Sequence, residues 1–222
     1  MIKRCIFLFL AINISSLYAI LGGVGLQGIQ DGFKVDEEIF IYEFSGESVS
    51  INRDVIDEPL GLGGFMYLTI IPFLDFEAGL NFTTSKYSYV YQNTLTQEQG
   101  ESPEMRIGKL SWYLSAQRPI FKFPTIRLFL GGGINGASYT KIVSAETFNE
   151  GGIDTDKLED LDYLKDKLSD SSTGGHIEFG GRFKPPIIPF SLNATARYYI
   201  IKDVVPGEDG YLSLSMGVAF AI

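Results

Sequence analysis

The sequence predicts an all-β fold, with eight antiparallel, up-and-down strands closed into a barrel. Three observations carry this. Apolar residues alternate with small or polar ones over segments of about ten residues. Short and long connections alternate between the segments. Pro, which cannot join a strand ladder, marks the short connections at Pro72, Pro119 to Pro124 and Pro185 to Pro189.

The last segment is the clearest. Leu212, Leu214, Met216, Val218, Phe220 and Ile222 share one face, and Tyr211, Ser213, Ser215, Gly217, Ala219 and Ala221 share the other. Upstream, Leu192 to Ile200 alternate with Ser191, Asn193, Thr195 and Arg197. Ile177, Phe179 and Phe183 alternate with His176, Glu178 and Arg182. Ile126, Leu128, Leu130 and Ile134 alternate with Arg127, Gly131, Gly133 and Asn135. Leu110, Trp112 and Leu114 alternate with Lys109, Ser111, Tyr113 and Ser115. Leu74 to Phe82 alternate with Asp75, Glu77, Gly79 and Asn81. Leu60 to Ile70 form an earlier apolar face, and Val24 and Leu26 mark the first, Gly-rich strand.

Ten residues at about 3.3 Å each, tilted by about 40°, cover roughly 25 Å, the apolar height of a bilayer. The two faces predict which side meets lipid. A soluble barrel puts its apolar face inside and a charged face in water. Here the second face is rich in Gly, Ser, Ala, Thr and Asn, which suits a narrow lumen. The charges on it are mixed in sign. Asp75, Glu77, Arg127, Glu178 and Arg182 are the expected ionic cluster, lying toward the short turns. Lys109 and Arg197 also face the lumen. The cluster reads as a gate or as charged packing that fills the barrel.

Composition narrows the rest. Of 222 residues, 25 are Gly and 9 Pro without period, which excludes collagen. The net charge of −9 argues against nucleic acid. One Cys and one His exclude a Cys-based zinc site and a multi-histidine metal site. No cofactor is expected.

Residues 1–19 read as a cleaved secretory signal peptide, with Lys3 and Arg4, an apolar stretch over Ile6 to Ile14, and small residues up to Ala19. The barrel domain is then 20–222, and its mature chain lacks Cys.

The closing residues Ser215, Gly217, Phe220 and Ile222 resemble the C-terminal sorting signal of bacterial outer-membrane barrels, with Ile222 where an aromatic is usual. With the signal peptide and eight strands, the chain resembles the small OmpA/OmpX/OmpW-type outer-membrane barrels, barrel domain only. The resemblance implies outer-membrane lipid as surroundings, and the barrel-assembly machinery and periplasmic chaperones as partners. It also implies an integral monomer with long loops outside the cell.

Charge is sorted by end. Residues 31–59 hold nine acids against Lys34 and Arg53, and 141–173 hold nine acids against four Lys. The short turns carry Arg118, Lys122 and Lys184 and no acid. The acidic loops could hold an extracellular ligand or cation, or simply stay solvated. In the third long loop, 155–170 reads as a short helix. Leu158, Leu161, Leu164 and Leu168 recur at helical spacing, behind an Asp156–Glu159 capping pair. Tyr87, Tyr89, Tyr91, Tyr139, Tyr198 and Tyr199, with Phe121, Phe123 and Phe190, suit two interfacial girdles.

A lipid-modifying enzyme would need a Ser–His–acid constellation, but His176 has Glu178, not Ser, as its same-face neighbour. The chain is expected not to be an enzyme. The main expectation is a structural or surface-interaction role through the acidic loops. The alternatives are a narrow channel for small or apolar solutes and, more remotely, lipid modification.

Overall fold

The computed structural model describes residues 22–44, 47–71, 73–93, 96, 99–101, 104–140, 169–205 and 208–221. Its strands, in chain order, are β1 (Gly22–Asp31), β2 (Lys34–Val35), β3 (Glu38–Phe44), β4 (Glu47–Arg53), β5 (Ile56–Asp57), β6 (Leu60–Ile71) and β7 (Leu74–Tyr87). There follow β8 (Tyr89–Asn93), β9 (Gln99–Glu101), β10 (Met105–Lys122), β11 (Ile126–Thr140), β12 (Ser169–Phe183), β13 (Phe190–Val205) and β14 (Glu208–Ala221). Eight of them close a barrel in the order β1-β14-β13-β12-β11-β10-β7-β6, and every pairing is antiparallel. Closure leaves no barrel edge unpaired, as a wall inside hydrocarbon requires.

The wall is apolar outside. Leu26, Leu62, Leu80, Leu114, Ile134, Ile177, Leu192 and Leu214 are all exposed, while Gln27, Asn81, Ser115, Asn135, Glu178, Thr195 and Ser215 are buried inside. Near the long connections the polarity inverts along the same strands. Ile107, Tyr87, Ile201 and Tyr211 face inward, while Arg106, Lys86 and Lys202 face outward. The inversion marks where lipid gives way to water. Below it the outer face buries its apolar groups in hydrocarbon. Above it the same gain comes only from turning them in. The inward residues there form one apolar cluster with Phe33, Val35, Ile56, Ala137, Tyr199, Val204 and Val205. Tyr87 and Tyr199, expected in a lipid-facing girdle, belong to this cluster. Tyr198 does face outward.

Large aromatics sit on glycines. Tyr67 opposes Gly23, Tyr113 opposes Gly79, Trp112 opposes Gly136 and Phe129 opposes Gly180 in register. A Cβ on any of these glycines would come within 2.4 to 2.7 Å of the ring facing it. Each ring therefore lies flat over bare backbone, the way a β-sheet covers a glycine gap.

Several expectations are corrected. The eight barrel strands run from 10 to 18 residues, and all but β1 are longer than ten. Residues 31–59 and 90–104, read as loops, contain β2 to β5, β8 and β9. Four of these strands make a sheet of order β3-β4-β8-β9, and the other two, β2 and β5, pair with each other. The apolar run Ile39-Phe40-Ile41 and the alternation of Val49 and Ile51 about Ser50 supply the strand signal there, and the density of acids conceals it. The helix expected over 155–170 is overturned at its described end. Ser169 and Asp170 are strand, pairing with Thr140 and Tyr139, and no helix occurs among the described residues. Those ladder bonds, continued by the Ser171–Ser172–Thr173 run, carry β12 into the last two residues of the expected helix. Residues 155–168, like the leader 1–19 and Ile222, lie outside the described residues.

Candidate functional site

Among the described residues, the lumen holds the largest network of polar and charged side chains. Its members follow from register. Gln117, Gly131, Glu178 and Arg197 stand side by side across four strands, so Glu178 and Arg197 meet directly. Arg197 Nη2 lies 2.6 Å from Glu178 and 3.4 Å from Glu77. Its guanidinium carbon lies 3.6 Å from the Tyr113 ring centroid, and Tyr113 donates to Glu77 at 3.0 Å. Gln117 donates to the other oxygen of Glu178 at 3.0 Å.

Toward the short turns, Arg182 lies 3.3 Å from Glu77 and 3.7 Å from Asp75, with its guanidinium 3.5 Å from the Tyr67 centroid. Its Nε donates to Asn193 at 2.7 Å. Arg127 completes the cluster at 2.6 Å from Asp75. The five residues expected from the sequence, Asp75, Glu77, Arg127, Glu178 and Arg182, thus stand in one network. Arg197 is the link between Glu77 and Glu178 that the expected set lacked.

A second pair lies nearer the long connections. Lys109 Nζ is 2.6 Å from Asp31 and 2.5 Å from the Tyr211 hydroxyl, with the Tyr211 ring centroid 4.3 Å away. Thr83 donates to Asp31 at 2.8 Å. The sequence had placed Asp31 in a loop. Continuing the Val24–Leu26 alternation by two steps would have turned Gln27, Ile29 and Asp31 inward. The charges inside the wall balance: Asp31, Asp75, Glu77 and Glu178 against Lys109, Arg127, Arg182 and Arg197. Paired and hydrogen-bonded charge of this kind persists in a confined interior where isolated charge would not.

Of the C-terminal residues, Ser215 is buried in the lumen and Gly217 stands on the same inward row. Phe220 faces outward with its ring 5.6 Å from Phe190, edge to face.

No protein-family model matches the chain, and no curated protein matches it. Solved structures do. Neisserial surface protein A is similar at 16% identity and a TM-score of 0.50, over 90% of this chain and 97% of that one. Ail, the attachment invasion locus protein of Yersinia pestis, solved with the heparin analogue sucrose octasulfate, is similar at 10% identity and a TM-score of 0.47, over 90% of this chain and 99% of that one. OprG of Pseudomonas aeruginosa is similar at 13% and 0.46, over 91% of this chain and 94% of that one. The chain has the fold of the small outer-membrane barrels.

That barrel contains one arrangement the sequence did not suggest. Ser115 Oγ and His176 Nε2 are 2.8 Å apart. Ser115 opposes Gly133, which opposes His176, so the pair meets over a bare glycine from two strands away. The spacing along His176's own strand carries no sign of it. His176 also lies in the middle of β12, buried between the Tyr113 and Tyr199 rings, and not at the strand's outer end. Glu178 is 3.9 Å from the same Nε2, and Nδ1 has no hydrogen-bond partner. A hydrolytic triad needs its acid on Nδ1, holding the ring for the nucleophile. Here acid and serine share one nitrogen. Among the described residues, no three His, Cys, Asp or Glu side chains converge as a metal site.

Proposed function

We propose that this protein is an integral outer-membrane barrel whose lumen is a sealed structural core and whose work is surface interaction through its long connections. The observation that carries this is the filling of the lumen. Tyr67, Tyr113, Phe129, Gln117 and Tyr199 are fully buried there, interleaved with the balanced ion pairs. The apolar cluster at the long-connection end closes the mouth a second time. An eight-stranded wall encloses only enough room for side chains, and these occupy it.

The long connections, by contrast, are built. They carry the β3-β4-β8-β9 sheet, on which Ile39 and Ile41 are each 67% exposed amid the acidic 31–59 segment. Arg53, buried beneath, ties that sheet together through Glu38 at 3.4 Å and the Asp36 carbonyl at 2.9 Å. In this reading the long connections face outward from the cell and the short turns face the periplasm. The Ser115–His176 pair is packing and carries no reaction.

Two measurements test the reading. The chain refolded into planar bilayers should be electrically silent, with insertion confirmed separately; reproducible openings would favour a channel instead. Cys5 is the only Cys, so single cysteines report sidedness cleanly. Ser50→Cys should react with a membrane-impermeant maleimide on intact cells, and Ile187→Cys only after the outer membrane is opened. The opposite pattern would invert the assigned topology.

A further inference from the structure

We propose that Arg118 is a binding site for the phosphate of an anionic phospholipid in the leaflet at the short-turn end. Arg118 stands on the outward, exposed row of β10 with Trp112, Leu114 and Ala116. Across the wall it opposes Leu130 of β11, and its neighbour Gln117 pairs with Asp75 at the start of β7. The outward rows of the eight strands are otherwise apolar or small between the polarity inversion and the short turns. Arg118 is the one charge on that band among the described residues. No carboxylate or carbonyl partners it among the described residues.

A cation there must be met by something from the lipid. The depth fits a phosphate. The β10 ladder shifts register between Pro119 and Phe121, immediately beyond Arg118. Phe121 and Phe123 then stack at 4.6 Å, a girdle at the level of the headgroups. A guanidinium rooted a few residues inside the girdle snorkels to that level along its own stem. Its planar fork suits a phosphate diester better than an ammonium would. The end of the barrel is also the right one electrostatically. Lys122 ends the same strand as Arg118 and Lys184 opens the β12–β13 turn, its amide donating to the Thr125 carbonyl of the β10–β11 turn, and no acid lies in the short turns.

Leu130, the exposed register partner of Arg118, makes the test local. Trp112 is the only Trp of the chain but stands six residues away along β10, about 20 Å, so Leu130→Trp is combined with Trp112→Phe and serves as the parent. The full barrel is placed in phosphatidylcholine vesicles doped with phosphatidylglycerol or phosphatidylcholine brominated on the acyl chain near the headgroup, and quenching of the introduced indole is compared. The parent should be quenched several-fold more effectively by the anionic lipid at equal mole fraction. Arg118→Ala should abolish the difference, and Arg118→Lys should keep part of it. Equal quenching in the parent, or a preference that survives Arg118→Ala, overturns the site. Inorganic phosphate added at constant ionic strength should leave the preference intact; its loss would assign Arg118 to free phosphate and overturn the lipid assignment. Quenching by neither lipid would overturn both the site and the barrel's place in a bilayer. Arg118 makes no hydrogen bond or ion pair with the wall among the described residues, so its variants should fold like the parent.

Discussion

Arg127 and Arg182 stand directly opposite each other on β11 and β12, two like charges in one register pair. Such a pair repels by itself. Asp75 reconciles them, at 2.6 Å from Arg127 and 3.7 Å from Arg182, while Glu77 takes the second arginine at 3.3 Å. The short-turn half of the lumen is therefore a unit in which one carboxylate holds two cations.

Asp75→Asn should be the most damaging single neutralisation in that half. It leaves two facing guanidiniums with only Glu77 nearby, and removing one partner of a buried ion pair costs about 3 kcal/mol or more. Arg127→Ala should cost clearly less, because Arg127 is partly open to solvent and Asp75 retains Arg182. Urea unfolding in lipid vesicles, followed by Trp112 fluorescence, checks the order. Equal costs would mean that Asp75 serves only one of the two arginines.

Much of this architecture was legible in the sequence. Period-two alternation located the eight wall strands and their lumen charges, because lipid outside and crowding inside both act on every second residue. Asp75, Glu77, Glu178, Arg127 and Arg182 could be chosen as lumen residues for that reason alone. Pairing across strands was not legible. Which carboxylate meets which guanidinium depends on register, and register is set by turns and bulges spread along the chain. Arg197 is legible as inward, but its contacts with both Glu77 and Glu178 are not. Ser115 escapes the pattern because its partner lies two strands away. The sheet in the long connections escapes it because its acids resemble a solvated loop.

The aromatic–glycine pairs predict a steric effect independent of charge. Gly79→Ala places a methyl about where the Tyr113 ring lies, with the Cβ 2.4 Å from a ring carbon. Tyr113 must tilt, straining its contacts with Arg197 and Glu77. Overpacking of this kind costs typically 1–3 kcal/mol, about what Gly79→Ala should show in urea. Gly136→Ala does the same to Trp112 on the lipid side, 2.6 Å from the indole nitrogen. Its signature should be a shift of the Trp emission maximum in the folded state. An unshifted spectrum would place Trp112 away from Gly136.

The polarity inversion predicts where arginine is tolerated on the outer wall. Leu114 lies well inside the apolar band, and Ser138 lies at its edge on β11, between Leu110 of β10 and Ser171 of β12. Leu114→Arg should destabilise the barrel by roughly 2–4 kcal/mol and Ser138→Arg by about 0–1 kcal/mol, the depth dependence expected for a lipid-facing cation. Similar costs at both positions would move the bilayer boundary to a different level of the wall.

The Ser115–His176 contact separates packing from chemistry. If the pair only packs, Ser115→Ala costs one buried hydrogen bond and leaves neither Nδ1 nor Nε2 of His176 with a hydrogen-bond partner. The loss should be about 1–2 kcal/mol in stability, the penalty for an unsatisfied buried polar group. The folded barrel should also remain unlabelled by a fluorophosphonate, since Ser115 is buried and no acid lies on His176 Nδ1 to hold the imidazole as a base. Labelling that disappears in both Ser115→Ala and His176→Ala would instead show an activated serine, and would require a path from the surface through the packed lumen.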